Sequence, residues 1–401
     1  MILTDKVCIL ATKRHCKMKQ RLWMLCALLL MVQGLLKADR PEGLPNSVYV
    51  TGGNFHVQGI AIDRTRRCMY FSFTTSLVKT DLKGNVIGSV EHLTGHLGDL
   101  AIHPVTGDVY ASLECKDDAI GASISRKLGT SAVEADGSRF YVAIFRADRL
   151  TRKGMDASVD SVMTTVYLDE PTCDYQDTVT ERGRTVPHRH GCSGIDGITF
   201  APAVGTSSED IPYLYVGYGI YSDTTRTDND HQVLLCYDVR SWDRYEKPMQ
   251  WDALHTSGPA KPLHKYFVHT GNTRYGVQNL VYHPTSRQFL MAAYCGAKSS
   301  YPNYSLFAVD ASVPSVWQSL PGSEKRVEML CLVPQGNLHR PTGVHGWHFP
   351  WGSTGMCHVE GNYFYLSENR KDKRGNQTCT ARLYRWTGDA ACPFVPADES
   401  R

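Results

Sequence analysis

Between residues 46 and 390 the chain is written in short apolar runs, many rich in Val, Ile, Tyr and Phe, broken by Gly, Pro, Asn and Asp. Runs of this kind, bounded by turn residues, predict β-strands, and the periodicity of amphipathic helices is nearly absent. One phrase recurs: a His or Gly, an aliphatic residue, two small or polar residues, then an apolar strand. It reads His56-Val-Gln-Gly-Ile-Ala-Ile, His96-Leu-Gly-Asp-Leu-Ala-Ile, Gly194-Ile-Asp-Gly-Ile-Thr-Phe, Gly276-Val-Gln-Asn-Leu-Val-Tyr and Gly343-Val-His-Gly-Trp-His-Phe. Second strands follow from Met69, Val109, Tyr213, Phe289 and Tyr363, and third strands from Leu77, Tyr141, Val233, Ser305 and Ala381. Fourth strands follow from Asn85, Val162, Lys265 and Val327. The fifth copy lacks one, but a spare strand, Ser47-Val-Tyr-Val-Thr-Gly, precedes the first copy.

Four antiparallel strands repeated radially predict an all-β fold, a five-bladed β-propeller, and the spare N-terminal strand predicts how the ring closes. Closure removes the open sheet edges that would otherwise template aggregation. About 73 residues per blade exceed the ~40–50 of compact propeller repeats, so the surplus lies in loops. A sixth blade within 116–192 is the alternative.

In a propeller the first strand of each blade lines the central channel. The loops leading into it share a face with those joining second to third strands. The connections 116–138, 221–231, 296–304 and 369–379, and the insertion 170–193, fall on that face. Long loops over a rigid scaffold are where binding sites concentrate. The residues opening the inner strands form a polar ring at the channel mouth: Gln58, Asp99, Asp196, Gln278 with Asn279, and His345. An apolar residue follows each, namely Ile60, Leu100, Ile198, Leu280 and Trp347. Polar groups converging beside an apolar wall suit a small-molecule ligand.

Three chemistries fit this ring. Asp99, Asp196 and Asn279, with Gln58 or His345, supply oxygen-rich ligands suited to Ca²⁺, the candidate cofactor. Asp99 and Asp196, with Glu114 and Glu368 nearby, offer paired carboxylates for glycoside hydrolysis. His188, Arg189, His190, Arg274, Tyr275, His339 and Arg340 offer the acid, base and carboxylate clamp of a polysaccharide lyase. The candidate catalytic residues are therefore Asp99, Asp196, His190 and His345, and the candidate substrate-binding residues are Gln58, Gln278, Arg274, Tyr275 and Arg340. The stripe Tyr215, Tyr218, Tyr221 is expected to pack blades, and His103 and His283, each before a proline, to serve turns.

Composition narrows the context. Lys17, Lys19 and Arg21 precede an apolar run from Leu22 to Leu36, the pattern of a secretory signal, too short for a membrane span. The expected organisation is a signal peptide over 1–38, with Met18 as a candidate start, and one propeller domain over 39–401. The mature protein is then expected to be secreted or periplasmic, monomeric and without a stable membrane span. Three of the 13 Cys fall in that leader; the remainder permit disulfides, with Cys173 and Cys192 placed to staple the insertion. The net charge of +3 and the absence of basic runs exclude an obvious nucleic-acid binder. No P-loop, dinucleotide glycine fingerprint, GxSxG or HExxH is present, which disfavours those enzyme classes. Asn303-Tyr-Ser and Asn376-Gln-Thr are glycosylation sequons.

Over residues 46–390 the repeats resemble secreted five-bladed propellers as an architecture. That group includes arabinanase- and fructosidase-like glycosidases, calcium-dependent apyrases and tachylectin-like lectins. The phrases VKTDLKGNVIGSV and GDLAIHPVTGDVYAS also look like the repeats of lactonase-type calcium propellers. The glycosidase pattern of three carboxylates on successive inner strands is not matched, because Gln58 holds the first position, so no catalytic residue carries over. The resemblance implies an enzyme acting on a saccharide or related anionic small molecule by hydrolase or lyase chemistry. The alternative is a non-catalytic glycan-binding or scaffold propeller that uses loop aromatics such as Tyr301 and Tyr304.

Overall fold

The computed structural model describes residues 40–52, 54–131, 137–181, 183–206, 213–320 and 325–398. The expected signal peptide and Met18 lie outside them. From Gly43 onward the chain is one compact unit, a five-bladed β-propeller.

From channel to rim, blade 1 is Gly59–Asp63, Cys68–Ser72, Leu77–Asp81 and Val86–Glu91. Blade 2 is His96–Ile102, Val109–Cys115, Arg139–Phe145 and Met163–Tyr167. Blade 3 is Cys192–Ala201, Tyr213–Ile220, His231–Asp238 and His264–His269. Blade 4 has three regular strands, Arg274–His283, Gln288–Tyr294 and Leu306–Asp310. Blade 5 is Met356–Glu360, Tyr363–Lys371 and Gln377–Trp386, completed by the N-terminal strand Ser47–Thr51. The closing strand runs antiparallel, with Ser47 opposite Arg382 and Thr51 opposite Thr378.

Every blade presents two faces to two neighbours, so alternate residues of a strand enter different cores. In blade 1, Cys68 and Tyr70 pack toward blade 2, while Met69 and Phe71 pack toward blade 5. In blade 4, Phe289 and Met291 meet blade 3, while Leu290 and Ala292 meet blade 5. Burial on both faces explains why these strands read as continuous apolar runs. The core is therefore five wedges, one between each pair of blades. Tyr215 and Tyr218 are buried in two of them, as expected of packing residues. His103 and His283 do serve turns: His103 Nδ1 accepts the Thr106 amide at 3.1 Å, and His283 Nδ1 meets Ser286 Oγ at 2.6 Å.

The structure corrects several expectations. The fifth inner strand is Met356–Glu360, which reaches Tyr363 through the two-residue turn Gly361–Asn362. The phrase at Gly343, separated from Tyr363 by a long loop, instead forms a small hairpin of Asn337–His339 with Val344–Gly346. Its Trp347 then bridges to Leu306 at the rim of blade 4 and is buried between blades 4 and 5. His345 accordingly leaves the ring. The strand at Val327 does not complete blade 4; Arg326–Leu330 adds in parallel to the outer strand of blade 3. No sixth blade occupies 116–192, which supplies the two outer strands of blade 2, two short helices, α1 (Ala119–Leu128) and α2 (Asp169–Gln176), and the hairpin Thr178–Glu181 with Arg184–Pro187. The ten described cysteines are free thiols, Cys192 buried and Cys173 exposed, so the staple between them is not formed. Among the described residues no helix is long and apolar enough to cross a membrane.

Two polar side chains fasten the inner strands together. Asp99, fully buried, accepts the amide of Leu100 at 2.8 Å and those of Ile198 and Leu280 at 3.0 Å, joining blades 2, 3 and 4. Asn279 donates to Gln58 O at 2.8 Å and accepts the Met356 amide at 3.0 Å, joining blade 4 to blades 1 and 5. Neither has an oxygen left for a ligand. Burial raises the Asp99 carboxyl well above its ordinary range, against the pull of the three amides.

Asp99→Ala would leave three buried amides without acceptors, at ~1–3 kcal/mol each. Denaturant unfolding should show both Asp99→Ala and Asn279→Ala losing at least about 2–3 kcal/mol. A loss under about 1 kcal/mol in both would mean that these groups do not hold the blades.

Candidate functional site

The inner strands of blades 2, 3 and 4 each carry a bulge at the recurring polar phrase, between Leu97 and Leu100, Ile195 and Ile198, and Arg274 and Asn279. A bulge re-aims side chains at the end of a ladder. Here it sorts the phrase into two registers. Its first and third positions (His56 and Gln58, His96, Asp196, Gln278) face a cavity at the channel mouth. Its fourth position (Asp99, Asn279) faces inward and forms the fastening plug. Glycine stands where a side chain would obstruct: a Cβ at Gly59 would lie 2.6 Å from Asp99 Cα, and one at Gly98 2.7 Å from Asp196 Oδ1.

The cavity measures about 430 Å³. Its floor is ionic. Asp196 Oδ2 accepts Gln278 Nε2 at 2.7 Å, leaving Oδ1 toward His96 Nδ1 at 3.7 Å. On the other side His96 Nδ1 lies 3.2 Å from Glu114 Oε2, its cross-strand partner in blade 2. Glu114 Oε1 accepts the Ile195 amide at 2.8 Å, while Lys116 Nζ sits 2.7 Å from Oε2 and donates to Ser193 O at 3.0 Å. His96 is 9% exposed, Asp196 7%, Lys116 5% and Glu114 2%. Gln58 Nε2 faces His56 Nε2 at 3.2 Å and Thr74 Oγ1 at 3.3 Å on the blade 1 side.

These groups tune one another. Burial, reinforced by the Glu114 carboxylate, raises the Asp196 carboxyl to about 7, against His96, Lys116 and Gln278. Burial pulls the His96 imidazole down, but Glu114 and Asp196 outweigh it and the net shift is upward. Burial, then His96 and Lys127, lower His56. Burial opposes the charge on Lys116, yet Glu114 and Asp118 raise it overall.

The walls are less polar. Helix α1 supplies Ile120, Ser123, Ile124 and Lys127, and Phe55, Tyr275 and Tyr294 add aromatic surface. Asp118 caps α1 by accepting the amides of Ile120 and Gly121 at 3.0 and 2.9 Å, and Gly129, at φ +69°, ends it. Lys127 Nζ lies 4.4 Å above the Phe55 ring.

Of the expected site residues, Gln58, Asp196, Gln278 and Tyr275 meet here. Arg274 is exposed, its guanidinium 5.5 Å from the Tyr275 ring, and is not among the lining residues. His190 is half-buried on the turn entering blade 3, edge-on to Phe267 at 5.0 Å. Arg340 and His345 lie on the small hairpin segment, Arg340 exposed. Glu368 accepts from Tyr384 OH at 2.8 Å, away from the cavity. The calcium set Asp99, Asp196, Asn279 is not assembled, since two of its members are occupied by backbone amides. Tyr304 is buried rather than presented, and Tyr301 OH meets His269 Nε2 at 3.2 Å. Glu114, expected near the paired carboxylates, does join them, while His56, His96 and Lys116 complete the site beyond the residues the sequence pointed to. For the two histidines the signal is the repeat, since both open its phrase, and Glu114 lies opposite His96 on the neighbouring strand.

The molecule is thus a five-bladed propeller with a blind, ionic-floored cavity at one channel mouth. No family model and no curated protein sequence matches it. Among solved structures it is similar to the Dos1 propeller, at 12% identity and a TM-score of 0.32, covering 84% of this chain and 69% of that one. A glucose dehydrogenase aligns at 10% identity and 0.36, covering 84% and 99%. The pyranose dehydrogenase PQQ domain from Coprinopsis cinerea aligns at 12% and 0.30, covering 81% of each chain. At these scores nothing about activity passes from them.

Beside the cavity, blade 3 holds two histidines that are neutral when folded. Burial first, then Lys265, takes His190 down to about 3; Asp228 raises it, and Arg189 and Arg226 lower it further. Burial, then His269, His190 and Lys298, take His231 to about 3. In the unfolded chain both protonate near ~6.5. Unfolding therefore takes up protons below that pH, and stability falls from about pH 6.5 toward 3, by up to ~1.4 kcal/mol per unit for each histidine. Denaturant midpoints between pH 8 and 4 should fall less steeply in His231→Gln than in the parent. Parallel curves would show that His231 is not held neutral.

Proposed function

We propose that this propeller is an exported hydrolase acting on a saccharide or related small polar molecule bound in the channel-mouth cavity. One observation carries the reading. Glu114, Asp196 and His96, from three strands of two blades, converge with free valence on the floor of a cavity whose walls pair aromatic and aliphatic surface with amides and hydroxyls. A volume of about 430 Å³ falls within the ~300–1,000 Å³ of small-molecule sites. Apolar faces above convergent hydrogen-bonding groups suit a polyol ring, which has both kinds of surface.

Hydrolysis needs an activated water and a proton for the leaving oxygen. Asp196 Oδ1 faces His96 while Gln278 fixes its partner oxygen, so the carboxylate is aimed to orient a water. His96, between two carboxylates, is placed to exchange the proton. Lys116 pairs with Glu114 beneath them. The lyase reading loses its carboxylate clamp, because no arginine is among the residues lining the cavity. The leader-like run from Leu22 to Leu36 supports export.

The test is turnover by the purified protein on neutral and acidic oligosaccharides, lactones and nucleotides. Hydrolysis of at least one class is expected, and Asp196→Asn should cut kcat by about 10²–10⁴ while the melting curve stays near that of the parent. Retention on a glycan column with no turnover would replace this reading with a binding module. Unsaturated uronate products would replace it with a lyase.

A further inference from the structure

Acidic groups crowd the floor of the cavity. Glu114, Asp196 and Asp118 surround one ammonium, Lys116, whose Nζ is 2.7 Å from Glu114 and 3.6 Å from Asp118. Three carboxyl groups thus share one ammonium and one imidazole in a largely buried cluster. Buried charge of one sign calls for a counter-charge. His96 Nδ1, in a side chain more than nine-tenths buried, has no hydrogen-bond partner, and Glu114 Oε2 beside it is met by the Lys116 ammonium alone. Such an orphan is rare and points to something that belongs between the two.

We propose that His96 Nδ1, Glu114 Oε2 and Asp196 Oδ1 form a binding site for one divalent first-row metal ion, with Zn²⁺ bound more tightly than Mn²⁺. The three atoms lie within 4.8 Å of one another. Ligands about 2.0–2.2 Å from one ion and 3.2–3.7 Å apart, as His96 is from the two carboxylates, subtend roughly 100–120°, as tetrahedral coordination requires. The ligands are already oriented. Glu114 is fixed through its other oxygen by the Ile195 amide, and Asp196 through its other oxygen by Gln278. Lys116 Nζ sits 2.7 Å from the same oxygen of Glu114 and competes with the ion for it. Three protein ligands with the cavity open above them leave a coordination position for water or ligand.

One imidazole and two carboxylates suit zinc, manganese or iron(II). They do not suit calcium, which takes six to eight oxygens. The ion therefore differs in kind and in ligands from the calcium expected of Asp99, Asp196 and Asn279. The proposal concerns the same cavity as the enzymatic reading, but its test involves no turnover, so either can fail alone.

The test is equilibrium binding of Zn²⁺, Mn²⁺ and Ca²⁺ to the purified, chelator-treated protein, with metal content measured after desalting. One equivalent of Zn²⁺ per chain is expected, then weaker Mn²⁺ and negligible Ca²⁺. His96→Ala and Glu114→Gln should weaken Zn²⁺ by more than the ~10–100-fold of outer-sphere changes, with melting curves confirming folded protein. Lys116→Met, which removes the competing positive charge, should tighten Zn²⁺, the opposite of what general damage to the site would do. Less than a tenth of an equivalent in the parent, or affinity unchanged in His96→Ala, would overturn the site; the latter would place the ion on surface histidines.

Discussion

The Asp99 carboxyl group, accepting amides from three different inner strands, is the contact on which the rest of this molecule depends. A propeller has no central core. Its blades pack in wedges, and the strands nearest the axis expose ladder amides that no neighbouring strand can pair. Buried amides without acceptors are costly. Asp99 meets this need for blades 2, 3 and 4, and Asn279 extends it to blades 5 and 1. Side-chain hydroxyls repeat the device one layer out: Ser72 donates to Gly98 O and Ser112 to Asp196 O, both at 2.5 Å, each tying a second strand to the inner strand of the next blade.

The same fastening creates the site. A side chain turned inward at one position leaves its neighbour at the bulge turned toward the mouth. Asn279 holds the plug while the adjacent Gln278 positions Asp196. Asp99 holds the plug while His96, three residues earlier, joins the ionic floor. Structure and chemistry are thus divided by parity along a single short phrase. A change at either register is felt at the other, since Gly98 leaves no room for a side chain between Ser112 and Asp196.

Most of the architecture could be read from the sequence because five phrases and a displaced strand have few arrangements other than a closed ring. Periodicity alone could not say which copy was false. Gly343 to Phe349 imitates the phrase, and only the missing tight turn to Tyr363 distinguishes it from Met356–Glu360, whose apolar pattern is short and interrupted by His358. Helix α1 was legible in retrospect from its ends, Asp118 and Gly129, with Ile120 and Ile124 one turn apart. The polar ring was visible, but treating Gln58, Asp99, Asp196, Gln278 and Asn279 as one set hid the difference between third and fourth positions. That difference is where ligand-facing and strand-fastening groups part. Lys116 carries no pattern signal at all; only the fold brings it beneath Glu114.

The plug also determines what kind of cavity this is. Beneath the polar floor, Asp99 and Asn279 are fully buried and bridge the inner strands, so the plug separates the two mouths of the channel. The inner strands continue to an opposite mouth of about 220 Å³ lined by Ile62, Ile102, Phe200, Tyr282 and Met356, with little charge. A ligand at the ionic floor therefore enters and leaves on one side, past α1, Phe55 and Tyr275. The floor is shielded from bulk water below by the buried plug and flanked above by aromatic side chains. In that setting the fields of Glu114, Asp196 and Lys116 act on whatever is bound with far less screening than they would on an open surface. Concentrated charge is tolerable here because Ile195, Gln278 and Ser193 each satisfy one charged group, and what they leave unsatisfied is aimed upward, at the ligand.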